Sequence, residues 1–113
     1  MLIIAIVLFI IAAVFGLINL IAVLKNRPTP SLAVLAHGSF AFIALLVLIA
    51  AIASGHKDIL LITSLGLFIL AAMGGFTLLS FDLRDKPIPR MLALGHPVLA
   101  VGALVLLIIY VLK

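Results

Sequence analysis

Two histidines in apolar surroundings are the residues of this chain best able to do chemistry. His37 and His96 each lie seven residues past the second proline of a short motif, in which a basic residue, a proline, any residue and a second proline follow one another. The two motifs, RPTPSLAVLAHG and KPIPRMLALGHP, begin 59 residues apart. An imidazole in such surroundings either ligates a metal or hydrogen-bonds a neighbouring segment.

The elements that position these histidines are four long apolar runs. Of the 113 residues, 68% are hydrophobic and 9% are charged, which is more apolar surface than a soluble domain of this size can bury. About 20 apolar residues cross a bilayer core about 30 Å thick. The sequence therefore predicts an all-α integral membrane four-helix bundle, a single membrane domain over residues 1–113. The predicted spans are 2–24, 32–53, 59–81 and 91–112.

Basic residues predict how the spans are oriented. Five basic residues lie on one side, in the loops after the first and third spans and at the start of the fourth span. The other side carries only Lys57 and Lys113. We therefore expect the 25–30 and 84–90 loops in the cytoplasm and both termini outside, in a bacterial inner membrane. Because the net charge of +4 lies at membrane edges, no nucleic-acid partner is expected. The absence of cysteine excludes disulfides and thiolate metal sites within the chain.

The chain is interpreted as two tandem hairpin repeats, residues 1–54 and 60–113. When the halves are aligned at a shift of 59 residues, identical residues fall on one face of each helix, whereas random identities would scatter around it. We expect the hairpins to pack around a pseudo-twofold axis along the membrane normal, with the shared faces inward. The shared pairs include Phe9/Phe68, Ala12/Ala71, Gly16/Gly75, His37/His96, Ala41/Ala100, Ala44/Ala103 and Leu48/Leu107.

Two glycines are predicted to share one layer of the bundle with the histidines. Gly16 and Gly75 lie about 12 Å from the membrane surface, and His37 and His96 about 10 Å from the same surface, by the helical rise. A b-type haem takes two axial imidazoles, and its flat macrocycle needs backbone without side chains at its edges. The sequence predicts one bis-histidine haem b, with the histidines as metal ligands and the glycines giving clearance.

The haem propionates are expected to pair with basic residues at that surface. Arginine suits a carboxylate best, so Arg27 and Arg90 are the predicted propionate ligands, with Lys25, Arg84 and Lys86 close by. Because both axial positions would be filled, such a haem would transfer single electrons and would not bind oxygen.

This arrangement resembles the haem-binding bundle of four-helix membrane b-type cytochromes, including the cytochrome b of quinol-oxidising complexes. There, helices two and four supply histidines, and glycines on helices one and three make room for the porphyrin. The resemblance covers the whole chain as layout and rests on Gly16, His37, Gly75 and His96. With one histidine per ligand helix, it implies one haem, in an electron-transfer or accessory subunit more than in a stand-alone enzyme. Expected partners are lipid, a second copy or other subunits of a respiratory-type complex, and quinone.

Other interpretations remain open. In a structural or accessory subunit of a larger membrane complex, the histidines would only hydrogen-bond neighbouring helices and the glycines would only pack. A small transporter or channel is disfavoured by the few polar residues on the core faces. A zinc ion would have too few ligands. The spacing of Ala33 and His37, four residues apart, resembles the chlorophyll-binding motif of light-harvesting polypeptides. Four residues before His96, however, the chain has Leu92 instead of alanine. We expect Asn19 and Thr77 to form interhelical hydrogen bonds.

Overall fold

The computed structural model describes all 113 residues as four helices joined by short loops. They are α1 (Leu2–Leu24), α2 (Ser31–Ala53), α3 (Ile59–Leu83) and α4 (Arg90–Leu112). All four are long and apolar enough to cross a membrane, so the chain is a multi-pass membrane protein. The predicted all-α four-helix bundle is confirmed, and the predicted spans end within two residues of the helix ends.

The loops after α1 and α3 lie at one end of the bundle, here called the proline-loop end, and share a backbone design. Asn26 and Asp85 have φ values of 54° and 52°, in the left-handed region that asparagine and aspartate tolerate better than most residues. In each turn the next amide donates to the carbonyl five residues before it: Arg27 to Ala22 at 2.8 Å and Lys86 to Phe81 at 3.0 Å. Pro30 and Pro89 then cap α2 and α4 with φ near −60°, where a missing amide costs nothing.

The large buried side chains lie toward the opposite end. The rings of Phe9 and Phe68 stack across the bundle with their centres 3.9 Å apart, and Leu48 and Leu107 are fully buried beside them. Toward the proline-loop end the buried residues are all alanine: Ala12, Ala22, Ala33, Ala71 and Ala93. The large buried side chains are therefore confined to one half of the bundle, which also buries Ala5, Ala44, Ala51 and Ala103, whereas the half at the proline-loop end buries only alanines.

The two turns recur at the 59-residue spacing, and Phe9 and Phe68, which stack on each other, are also 59 residues apart. The shared residues that are buried in both halves are Phe9, Phe68, Ala12, Ala71, Ala44, Ala103, Leu48 and Leu107. The duplication itself and the pseudo-twofold axis stay predictions. The outward surface consists mainly of large apolar side chains, as expected for contact with membrane lipid.

We expect Ser64→Ala to lower the free energy of unfolding in detergent by about 1 kcal/mol, as for other interhelical hydrogen bonds in membranes. The buried Ser64 hydroxyl donates to the Ala103 carbonyl on α4 at 2.7 Å. Thr77→Val is the control, because the Thr77 hydroxyl donates to the Met73 carbonyl of its own helix. Unfolding curves measure both variants, and equal losses would contradict the interhelical role of Ser64.

Candidate histidine site

His37 on α2 and His96 on α4 meet inside the bundle, although their helices lie diagonally opposite each other. The ring centres are 5.9 Å apart and the ring planes stand at 86°. Both residues are half-buried. The structure therefore turns both predicted axial ligands inward and brings them together, which spacing along the sequence alone did not determine.

Each imidazole is held by a hydrogen bond within its own hairpin. His37 Nδ1 lies 2.8 Å from the Ala12 carbonyl oxygen, and His96 Nδ1 lies 2.7 Å from the Ala71 carbonyl oxygen. A carbonyl oxygen only accepts, so Nδ1 must carry the proton in both rings. In the neutral imidazole this leaves the lone pair on Nε2, the nitrogen through which such a ring is able to bind a metal. Neither Nε2 makes a hydrogen bond, and neither is enclosed.

Gly16 and Gly75 make room for the imidazoles themselves. A methyl group added at Gly16 would lie 3.0 Å from Cε1 and Nδ1 of His37, and one added at Gly75 would lie 3.0 Å from Cε1 of His96. Each glycine follows the accepting alanine by four residues, one helical turn, so its missing side chain opens the path from ring to carbonyl. The structure thus places each glycine against an imidazole, and clearance for a porphyrin stays a prediction.

Asn19 is the one side chain whose polar atom is enclosed and unpartnered. Its Oδ1 is buried and accepts no hydrogen bond, and Thr77 bonds only within its own helix. The expectation that these two residues form interhelical hydrogen bonds is therefore wrong. Thr77 can satisfy its hydroxyl on the preceding turn, as threonine does in helices, whereas the Asn19 amide faces no acceptor or donor on the neighbouring helices.

The two arginines predicted to bind propionates have different surroundings. Arg90 Nη2 donates to the Leu24 carbonyl at 3.2 Å and to Asn26 Oδ1 at 3.5 Å, which ties the start of α4 to the end of α1. A cation at a helix C-terminus is favoured by the helix dipole. Arg27 is exposed, and its guanidinium forms no hydrogen bond. The propionate role of both arginines stays a prediction.

The remaining histidine lies at the opposite end of the bundle, in a polar cluster. His56 Nδ1 lies 3.4 Å from the Tyr110 hydroxyl, and Lys113 Nζ pairs with Asp58 Oδ2 at 3.0 Å. The Leu60 amide, at the start of α3, and Lys113 hold the pKa of the Asp58 carboxyl below its usual range. This cluster fastens the loop between α2 and α3 to the end of α4, far from the paired histidines.

No protein-family model, curated protein or solved structure matches the chain. Nowhere in the structure do histidine, cysteine or acidic side chains form a group of three or more that could hold a metal ion. The chemistry of the site is therefore argued from the paired imidazoles and their immediate neighbours.

Sequence reasoning found the histidines and glycines but missed the groups that orient them. The Ala12 and Ala71 carbonyls are backbone atoms and leave no mark in residue type. A signal was present nevertheless, because each glycine lies four residues after an alanine shared by both halves of the chain. The isolation of Asn19 had no sequence signal, because it depends on which atoms the neighbouring helices present.

We expect Gly16→Ala to lower the free energy of unfolding by about 1–3 kcal/mol, as overpacking usually does. The added methyl group would press on the His37 ring and lengthen its bond to the Ala12 carbonyl. Gly66→Ala is the matched control, because a methyl group there meets nothing within 4 Å and removes the conformational cost of glycine in a helix. Unfolding curves and the imidazole nitrogen resonances measure both; a destabilised Gly66→Ala would contradict the argument.

The contacts of Asp58 predict a loss of stability in acid. Because they favour the ionised carboxylate in the folded protein, their contribution is complete above the ordinary aspartate pKa. It is lost as the pH falls through the lowered pKa of the folded state. Asp58→Asn keeps a residue able to cap α3 but removes the charge. The unfolding midpoint of the wild-type protein should fall in acid, and that of Asp58→Asn should fall less. If the two midpoints change with pH in parallel, the role of Asp58 is contradicted.

Proposed function

We propose that the chain is a small membrane haem b protein that carries electrons within or to a respiratory-type membrane complex. The observation that carries the proposal is the His37–His96 pair, in which imidazoles from diagonally opposite helices have ring centres 5.9 Å apart. A metal bound to both rings at about 2.0 Å per nitrogen would hold their centres roughly 6 Å apart. The spacing of the two ring centres agrees with a single metal ion between them, and an edge-to-face contact of two rings gives the same spacing.

The state of the imidazoles also fits a haem iron. In each ring Nδ1–H donates to a backbone carbonyl, an arrangement that fixes the ring orientation and makes the other nitrogen a better ligand. His37 and His96 would hold the iron through Nε2. When bound, a bis-imidazole haem supplies reversible one-electron chemistry. The chain's own part is to hold both rings in one tautomer, with Nε2 free to bind the iron.

The packing of the bundle supports the same layer as the place for a flat group. Around the imidazoles and toward the proline loops, the buried residues are alanines, whereas every large buried side chain lies in the other half. A flat group between the imidazoles would displace no bulky buried side chain, whereas at the other end it would have to displace the Phe9–Phe68 stack. A porphyrin entering between the imidazoles would part the hairpins there and leave the bulky core intact.

The surroundings proposed for this protein follow from its charges. The excess of basic residues at the proline-loop end supports a cytoplasmic position for that end and an outer position for both termini, in a bacterial inner membrane. Quinone, a second copy of the chain or larger subunits would be the electron-transfer partners. The chain has almost no mass outside its helices, so these partners would bind within the membrane or at its surface.

A second candidate function is that of a cofactor-free accessory subunit. The observation that favours it is the hydrogen bond that each imidazole already makes inside its own hairpin, since such a bond alone gives the histidine a structural purpose. The two candidates differ at Nε2, which is a ligand in the first and idle in the second.

We expect purified wild-type protein, produced with haem available, to show the reduced-minus-oxidised spectrum of a b-type cytochrome, with about one haem per chain by the pyridine haemochrome assay. His37→Ala and His96→Ala should each lose the haem, because one axial ligand is removed. His56→Ala is the control, because that exposed histidine lies at the opposite end of the bundle and should leave the spectrum unchanged.

A colourless, folded wild-type protein from cells supplied with haem would overturn the haem proposal. Its recovery in a larger membrane assembly would then favour the accessory subunit. Normal haem content in both axial variants would also overturn the assignment of the ligands.

A further inference from the structure

We propose that the side-chain amide of Asn19 binds one carboxylate of the haem, on the proline-loop side of the imidazole layer. This inference rests on the proposed function. Its starting point is that Asn19 Oδ1 is enclosed and has no hydrogen-bond partner, which is rare for a polar atom buried in a protein. Such a group calls for an explanation, and a bound polar group of a ligand supplies one.

Asn19 lies in the right part of the bundle for this role. It follows Gly16 by three residues, about 4.5 Å along α1, in the direction of the proline loops. In the other direction from the imidazoles, the Phe9–Phe68 stack closes the core with apolar rings. A haem between the histidines therefore meets polar groups only toward the proline loops, and its carboxylates must point that way.

The chemistry of an amide suits a carboxylate acceptor. The Asn19 side chain offers an oxygen that accepts and an NH2 group that donates, and a half-turn about its last bond exchanges the two. With NH2 turned inward, it donates to the ionised carboxylate in a charge-assisted hydrogen bond, which is stronger than a neutral one. Without the carboxylate, the enclosed and unpartnered Oδ1 of Asn19 is a cost to the folded protein. Asn19 should therefore destabilise the haem-free protein and stabilise the haem-bound one.

The site is unequal on its two sides, and this inequality provides a matched substitution. The residue of α3 that stands 59 positions after Asn19 is Leu78, so only the first hairpin carries the amide. One haem carboxylate would meet Asn19, and the other would reach the basic residues at the surface. Asn19→Leu makes the two hairpins alike at this position, with a side chain of similar size that is already present in the chain.

The test compares Asn19→Leu with wild-type protein in the haem-free and haem-bound states. We expect the haem-free variant to unfold at a higher temperature and its dissociation constant for haem to rise about tenfold, as for loss of a hydrogen bond to a charged group. Loss of the donor also raises the pKa of the haem carboxylate, so the pH-dependent region of the midpoint potential should move to higher pH. Thr77→Val is the control, because Thr77 is exposed on α3. It should change neither the dissociation constant for haem nor the pH dependence of the midpoint potential.

The outcomes separate this inference from the proposal on which it rests. If wild-type protein binds haem and Asn19→Leu binds it with the same affinity and the same pH dependence, the inference is overturned and the haem proposal stands. If wild-type protein binds no haem, both fall. A purely structural Asn19 would shift the unfolding of both states equally and leave the potential unchanged. Asn19→Ala serves as the second variant if Asn19→Leu does not fold.

Discussion

Hydrocarbon offers no hydrogen-bond partner, so each polar group inside the bundle depends on a partner supplied by the protein. The helices satisfy the backbone, and the second lone pair of a backbone carbonyl then accepts from a side chain. The imidazoles of His37 and His96 and the hydroxyl of Ser64 all use carbonyls of a neighbouring helix in this way. These bonds fix the rotation of the helices, because a helix turned by one residue would lose its acceptor.

The helices themselves could be predicted because their ends are local properties of the sequence. Hydropathy sets the lengths of the spans, and Pro30 and Pro89 mark where α2 and α4 begin. The shared helix faces placed both histidines in one layer, but their meeting was not predictable, because one residue of helix rotation would turn a histidine toward lipid. Three contacts were not predictable: the carbonyls that accept from the imidazoles, the packing of each imidazole against a glycine, and the hydrogen bond from Arg90 to α1. They depend on how neighbouring helices are rotated and spaced, which residue types do not record.

The two halves of the chain agree at the turns, at the imidazoles and at buried core positions such as Leu48 and Leu107, and they differ at two polar residues inside the bundle. Both turns place an asparagine or aspartate at the left-handed position, and both imidazoles reach an alanine carbonyl past a glycine. By contrast, Ser64 corresponds to Ala5, and Asn19 corresponds to Leu78. The two imidazoles therefore have similar immediate neighbours, whereas Ser64 and Asn19 each occur in one half only.

The imidazole-to-carbonyl bonds also bear on how the protein is made. Each bond joins two helices that are consecutive in the chain, with partners 25 residues apart in sequence. The first hairpin can therefore satisfy its histidine as soon as its own two helices have entered the bilayer, while the second is still being synthesised. The second hairpin repeats the process. The two hairpins pack on each other through α1–α4 and α2–α3, and neither of these contacts is needed to form the bond between an imidazole and its carbonyl.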